Sequence, residues 1–309
     1  MRPNPTRAAV VSVLLIIAVY CLIGTSASAS DDVRKSLQIP PSGVNQILTL
    51  DDGSSLVGRI TSIGEETIDF ETDIGNMTID IDKIKSIKEI SETDIKEGEY
   101  WFPNPNRTRL YFAPTGRMLK AGEGYFADIY IFFPGFAYGV TDNFTIGGGM
   151  SIFPGVDFDK QLFYLNPKIG VDAGKSVDLA FSAMLIRVPN DDDDDEDFDL
   201  DDNMIVGILF ASATIGTDDK SLTFGLGHGF VKDEMADKPA VLFGGEYRLS
   251  RRMSFVSENW VFPSVDNPLI SYGLRFFGEN LSVDLGLMNI LGDDAIFPGF
   301  PYIGFVYNF

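Results

Sequence analysis

From residue 107 to residue 309 the chain is cut, at short and regular intervals, into segments of about ten residues by clusters of turn-forming residues. Ten residues is the length of a tilted strand that crosses a bilayer, whereas a crossing helix needs about twenty consecutive apolar residues. After residue 29 no stretch is apolar enough for such a helix. If this part of the chain enters a membrane, it must do so as a closed β-barrel, because an open sheet would leave unpaired backbone groups in hydrocarbon.

The segments are 107–113, 123–140, 144–154, 161–173, 177–188, 204–216, 221–231, 240–249, 253–262, 268–277, 281–289 and 299–309. They number twelve, and bacterial single-chain barrels have an even strand count. Thr141-Asp142-Asn143, Gly174-Lys175-Ser176, Thr217-Asp218-Asp219-Lys220, Ser250-Arg251-Arg252 and Gly278-Glu279-Asn280 are short polar turns. The links between them, 114–122, 155–160, 189–203, 232–239, 263–267 and 290–298, are longer. Alternation of short and long connections is the pattern of barrels with periplasmic turns and extracellular loops, and it puts both ends of the barrel on the periplasmic side.

Several segments also alternate in polarity, as a wall with a greasy outside and a wet inside requires. Leu281, Val283, Leu285 and Leu287 share one face, with Ser282, Asp284 and Gly286 on the other. Val241, Phe243, Tyr247 and Leu249 oppose Gly244, Glu246 and Arg248. Val177, Leu179, Phe181 and Leu185 oppose Asp178, Ala180 and Ser182. Segments 204–216 and 253–262 do not alternate cleanly and take no orientation from the pattern. The expected lumen charges are Arg109, Asp128, Lys168, Asp178, Glu246, Arg248, Arg275 and Asp284, with Asp172 beside them. They read either as a paired network filling the interior or as a charged pore wall that selects solutes.

The chain ends in Ile303-Gly304-Phe305-Val306-Tyr307-Asn308-Phe309. This resembles the C-terminal strand of outer-membrane barrels, with a terminal aromatic and apolar residues at every second position before it. The resemblance implies recognition by the barrel-assembly machinery.

Upstream, Met1–Ala29 reads as a signal peptide. Arg2 and Arg7 give a positive start, Ala8–Gly24 is an apolar run, and Ala27-Ser28-Ala29 is a small-x-small cleavage site. An uncleaved anchor is the alternative. Residues 30–43 read as a polar linker closed by Pro40-Pro41 and Gly43. Residues 44–92 carry short strands, 45–50, 56–63, 67–72, 76–81 and 84–90, and residues 93–106 read as a second linker. Asp52-Gly53, Gly58-Arg59-Ile60 and Ile68-Asp69-Phe70 resemble the SH3-like or Sm-like small barrels, in which a DG turn opens a bent strand with an inner glycine. The segment lacks the basic and aromatic loop residues with which Sm proteins hold RNA, so only a spacing role or docking of a periplasmic protein carries over. Gly58 marks the bend itself.

A formal net charge of -21 excludes nucleic acid as a partner, since phosphate binding needs clustered Lys and Arg. One cysteine, Cys21, in the signal peptide, and one histidine, His228, exclude a disulfide framework and a His/Cys zinc site. The run Asp191–Asp202 falls in the longest extracellular loop. Its carboxylates suit weakly held Ca²⁺, with Asp197, Asp199 and Asp201 as ligands, but it lacks the spacing of an EF-hand loop, and the ordinary reading of such a run is a solvated, self-repelling segment. The outer-membrane phospholipase family pairs a histidine with a serine two residues later; here His228 is followed by Gly229-Phe230. The expectation is therefore non-catalytic and without cofactor.

As a whole the chain resembles bacterial outer-membrane β-barrel proteins with an N-terminal SH3-like segment. The resemblance implies an outer-membrane location, with lipid and lipopolysaccharide as surroundings, the small domain in the periplasm, and a structural or passive, porin-like role. The alternatives are a barrel-borne enzyme acting on lipid and a soluble β-protein assembled on the cell surface.

Overall fold

The computed structural model describes residues 29–309 apart from 92–93, 97–98, 175, 190–203, 264, 293–294 and 296. The signal peptide, all but its last residue, and the acidic run with Asp197, Asp199 and Asp201 lie outside the described residues. The chain divides into two compact units, residues 1–101 and 102–309.

The first unit is built on a five-stranded antiparallel sheet. Its strands are β1 (Asn45–Leu50), β2 (Ser55–Ile63), β3 (Thr67–Thr72), β4 (Gly75–Asp80) and β5 (Ile84–Ile90), in the order β4-β3-β2-β1-β5. A single 3-10 turn, Ile81–Lys83, joins β4 to β5. Leu48, Ile60, Ile68, Phe70, Ile79, Ile81 and Ile84 bury their side chains in one cluster. Residues 30–43 are not simply a linker. Helix α1 (Ala29–Ser36) sets Val33 into that cluster, with Leu37 packed beside it. The apolar i, i+4 pair Val33–Leu37 sits among polar neighbours whose dominance reads as linker. Arg34 fastens the helix through Asp82 at 3.2 Å and the carbonyl of Glu65 at 2.8 Å.

At the β1–β2 turn Gly53 has φ +84°, which a residue without Cβ adopts freely. The Ser54 hydroxyl and N–H both donate to Asp52 Oδ1, at 2.6 and 2.8 Å, and hold this carboxyl below the usual carboxylate range. Gly58 lies where β2 passes close over β3, and a Cβ there would meet the Glu71 carbonyl at 2.1 Å and the Phe70 ring at 2.8 Å. Gly58→Ala is therefore expected to destabilise this sheet by about 1–3 kcal/mol, the usual cost of overpacking. Amide hydrogen exchange across residues 45–90 of the full chain should accelerate at least several-fold, with residues 124–309 unchanged; unaltered exchange would refute the close approach at Gly58. Residues 93–106 are likewise not a plain linker. They hold a two-residue ladder, β6 (Ile95–Lys96) with β7 (Glu99–Tyr100), and from Phe102 they already belong to the second unit.

The second unit is a closed antiparallel barrel. Its strands are β8 (Gly124–Ile129), β9 (Phe133–Thr141), β10 (Phe144–Met150), β11 (Phe163–Leu165), β12 (Lys168–Gly174), β13 (Val177–Val188), β14 (Met204–Gly216), β15 (Lys220–Val231), β16 (Glu234–Met235), β17 (Ala240–Ser250), β18 (Met253–Val261), β19 (Leu269–Phe277), β20 (Leu281–Ile290) and β21 (Phe300–Asn308). β16 only extends a hairpin from β15, and β11 with β12 forms one crossing interrupted at Asn166-Pro167. Twelve crossings remain, and β21 closes on β8 through Asn308↔Tyr125 to Gly304↔Ile129. Closure pairs every wall strand on both sides, so no edge is left.

The count of twelve agrees with the sequence, but two of its members do not. Residues 107–113 are not a wall strand, and 123–140 is two strands, β8 and β9. Ile129 to Phe132 forms a tight turn with φ +55° at Tyr130 and +68° at Ile131, closed by the Phe132 N–H on the Ile129 carbonyl at 3.2 Å. Two positive φ values in a row is the hairpin turn that normally takes Asn-Gly. Tyr-Ile carries none of that signature. The link 114–122 is accordingly no external loop. It belongs, with 107–113, to a segment inside the barrel.

Ladder register fixes the faces. Gly244↔Glu258, Glu258↔Ser271, Arg275↔Asp284 and Asp284↔Gly304 put one set of residues inward around the wall. Leu222, Phe224, Leu226, Phe243, Tyr247, Leu281, Leu285 and Tyr307 stand on the other face and are exposed. The orientations expected for 177–188, 240–249 and 281–289 hold. Both Gly124 and Phe309 lie at the end that carries the short turns, linked N–H to carbonyl in both directions at 2.9 Å.

Candidate functional site

The lumen is occupied at its short-turn end by the chain's own residues 102–121. The segment enters beside Arg248, which donates to the Phe102 carbonyl at 2.8 Å and lies over the Phe102 and Phe277 rings. It rises past Asn106, which bonds Ser282, and turns at Leu110–Ala113, where the Leu110 N–H meets the Ala113 carbonyl at 2.9 Å. It returns through Gly116, whose N–H donates to Thr214 at 2.8 Å, and leaves at Ala121, whose N–H meets Asp142 at 3.0 Å. Its partners thus come from the β9–β10 turn round to β20, almost the whole circumference.

Three devices fix this plug. The first is a carboxylate cap. Glu258 Oε2 accepts the N–H groups of Tyr111, Phe112 and Ala113 at 2.8, 2.9 and 3.1 Å, while its Oε1 accepts Trp260 Nε1 at 2.8 Å. An exposed turn would give those N–H groups to water; here one side chain takes all three. The second is a niche for Tyr111. Gly273 and Gly286 face each other across β19 and β20, and a Cβ on either would approach the Tyr111 hydroxyl, at 2.9 and 3.1 Å. Tyr302 closes the niche with its ring centroid 4.8 Å from that of Tyr111.

The third device is a buried four-charge cluster. Arg275, wholly buried, holds Asp284 at 2.6 Å and Glu246 at 2.9 Å. Arg109, on the plug, reaches the same Asp284 at 3.2 Å. Arg275 also donates to the plug carbonyl of Leu110 at 2.7 Å. Two positive and two negative groups balance, which is the condition for keeping ions away from water. Nearer the short turns, Arg117 on the plug pairs with Asp178 at 3.2 Å and Asp218 at 3.4 Å, and Arg248 pairs with Asp219 at 3.1 Å.

The expected lumen charges therefore separate. Lys168, Asp178, Glu246, Arg248, Arg275 and Asp284 face inward from the wall. Arg109 is in the lumen but on the plug. Asp172 pairs across the ladder with the inward Asp178, exposed near the short turn. Asp128 is a correction: register places it outward with Phe126, opposite Phe305, while Tyr125, Ala127 and Ile129 face inward. It sits two residues before the Tyr130–Ile131 turn, at the rim. His228 faces outward, across from Leu209. Sequence reading missed Tyr111, Arg117, Glu258 and Trp260. The available signal was in 102–117, where Pro103, Pro105 and Pro114 remove ladder donors and argue against a wall strand.

Beyond the plug tip, toward the long connections, the barrel holds an open cavity of about 1080 Å³. Phe112 and Ala113 form its floor; Val206, Ile208, Phe210, Trp260 and Phe262 line one side. Phe210 and Trp260 are 5.3 Å apart, and Trp260 stacks on Phe262 at 5.4 Å. Thr145, Asn166 and Lys168 supply polar groups on one side, Arg109 and Glu258 also line it, and Glu234, Asp237 and Lys238 border it from the β15–β17 connection. Apolar walls with a few placed polar groups are the usual make-up of a small-molecule site, and this volume lies at the upper end of such sites.

No family model matches the chain, and no curated protein matches it. Among solved structures it is similar to outer-membrane expressed OmpT of Vibrio cholerae, with a TM-score of 0.32 and 10% identity over 88% of this chain and 100% of that one. It is similar also to a loop L8 deletion mutant of that protein, with a TM-score of 0.32 and 11% identity over 86% and 96% of the two chains. A triple mutant of the Rh. blastica porin gives a TM-score of 0.29 and 10% identity over 86% and 97%. Superpositions this loose carry nothing about what the chain binds or does.

Proposed function

We propose that the chain is an outer-membrane barrel protein with a non-catalytic, passive-transport role, closed at rest by its own plug. The single observation behind this reading is the closed ladder with apolar side chains outside and a charged network within. In water such an outer face would be a very large exposed apolar patch. In a bilayer it is the required surface. The residues 102–121 fill the lumen at the level of Arg275 and Tyr111, which favours a gated or ligand-specific passage over an open general pore. His228, outward and followed by Gly229-Phe230, gives no support to a lipid-cleaving reading. The N-terminal sheet, with β1 between β2 and β5 and a 3-10 turn before β5, supports an SH3-like periplasmic module that docks a partner or spaces the barrel.

The test is fractionation of cells producing the full chain, with gel migration of the membrane fraction before and after heating. The mature protein should need detergent for extraction and should migrate differently unheated, as folded barrels do. Recovery in the aqueous periplasmic extract would end the proposal.

A further inference from the structure

We propose that the cavity above the plug binds a single-chain amphiphile with a carboxylate head, the head held by Lys168 and Thr145 and the chain lying along Phe210 and Trp260. The idea rests on the barrel reading above and adds the ligand class. Lys168 is buried in the wall. Its ammonium donates to two plug carbonyls, Thr108 at 3.3 Å and Arg117, and among the described residues no carboxylate lies within ion-pair distance of it. The plug and wall arginines Arg107, Arg109, Arg117, Arg248 and Arg275 each have a carboxylate partner, and Lys238, the other lysine lining the cavity, is exposed rather than buried. A lysine has three donors, so one remains for a ligand.

Its neighbours are short of partners too. Thr145 stands beside Lys168 in the β10–β12 ladder, is 6% exposed, lines the cavity, and has an Oγ1 without a hydrogen-bond partner. Asn166 Oδ1, on the same wall, is also buried and unpartnered. A buried hydroxyl and a buried ammonium with spare capacity are costly unless a ligand or water meets them. Following the register round the inner face from Thr145 gives Lys168, then Ser182, then Phe210, so the polar groups pass directly into the aromatic wall. One anionic head and one apolar chain match that sequence of surfaces. A sugar or a zwitterion would leave the apolar side unmatched, and a plain hydrocarbon would leave the ammonium unmatched.

Trp260 makes the test direct, since the chain has only Trp101 and Trp260. In full-length Trp101→Phe protein, reconstituted in lipid nanodiscs at pH 7, 11-bromoundecanoate should quench the remaining tryptophan saturably. The neutral 11-bromoundecanol should bind at least about tenfold more weakly. Lys168→Gln should abolish that preference while the unheated gel shift shows the barrel still folded. If Lys168→Gln does not fold, the comparison of acid with alcohol on the unaltered Lys168, and Thr145→Val, decide instead, Thr145→Val weakening the acid severalfold more than the alcohol. Saturable binding without preference for the acid overturns the head-group assignment. Linear, unsaturable quenching by both compounds, or quenching by a brominated phospholipid alone, overturns the site. Each of these results is obtained on a barrel already shown to be folded in membrane, and so differs from failure of the barrel reading.

Discussion

Excision of the plug is expected to convert a silent barrel into a conducting one. If residues 104–119 are replaced by a flexible Gly/Ser linker, the wall keeps its full ladder from β8 to β21, because none of those ladder bonds is made by the excised segment. Twelve strands spaced about 4.8 Å apart and tilted about 40° enclose roughly 24 Å between opposite backbones. Inward side chains narrow this, but Gly244, Gly273 and Gly286 contribute nothing to the narrowing, and these are places where the plug now sits. After excision Arg275, Asp284 and Glu246 still pair with one another, and Glu258 exchanges three N–H partners for water. In planar bilayers the intact protein should show no steps above baseline, and the excised form should show discrete ones. The unheated gel shift must persist in both. A folded, excised barrel that stays silent would mean that the plug is not what closes the lumen.

The wall was legible in the sequence wherever a strand has one greasy and one wet face. That is the case for β13, β17 and β20, whose inward positions face the plug and its charges. It fails for β14 because the inward positions Val206, Ile208 and Phe210 line the apolar cavity, so both faces of the strand are apolar there. It fails for β18 for the converse reason. Ser257 and Asn259 point outward and donate to wall carbonyls, Ser257 to Ser271 at 3.1 Å and Asn259 to Phe243 at 3.2 Å, while Val256 and Trp260 point inward. In sequence the plug resembles a strand plus a loop because 107–113 is a short segment set off by Pro105 and Pro114, with Arg109, Tyr111 and Ala113 at every second position. Their partners, Asp284, Tyr302 and Glu258, lie more than a hundred residues away, and a long-range pairing of that kind leaves no local trace. The count of twelve survived because one false strand and one missed hairpin cancelled.

Loss of the Asp284 charge is expected to be the most damaging point change in the barrel. Asp284 is 1% exposed and receives both Arg275, at 2.6 and 3.1 Å, and Arg109, at 3.2 Å. Asp284→Asn keeps the shape and leaves two guanidinium groups against Glu246 alone, a buried excess of one positive charge. Breaking a buried pair in this way costs about 3–5 kcal/mol. The urea midpoint for unfolding of the reconstituted barrel should fall accordingly. Arg275→Met strands the opposite sign, leaving Glu246 and Asp284 with Arg109 only, and also removes the bond to the Leu110 carbonyl. The double variant restores neutrality, with one cation and one anion remaining. Its cost should therefore be smaller than the sum of the single costs, by up to about 3 kcal/mol, the range of coupling seen for residues in one network. Costs that add within about 0.5 kcal/mol would show that the cluster is a set of independent contacts and that charge balance does not hold the plug. Because Arg109 rides on the plug, Asp284→Asn should also give brief openings in planar bilayers, where the intact protein is closed.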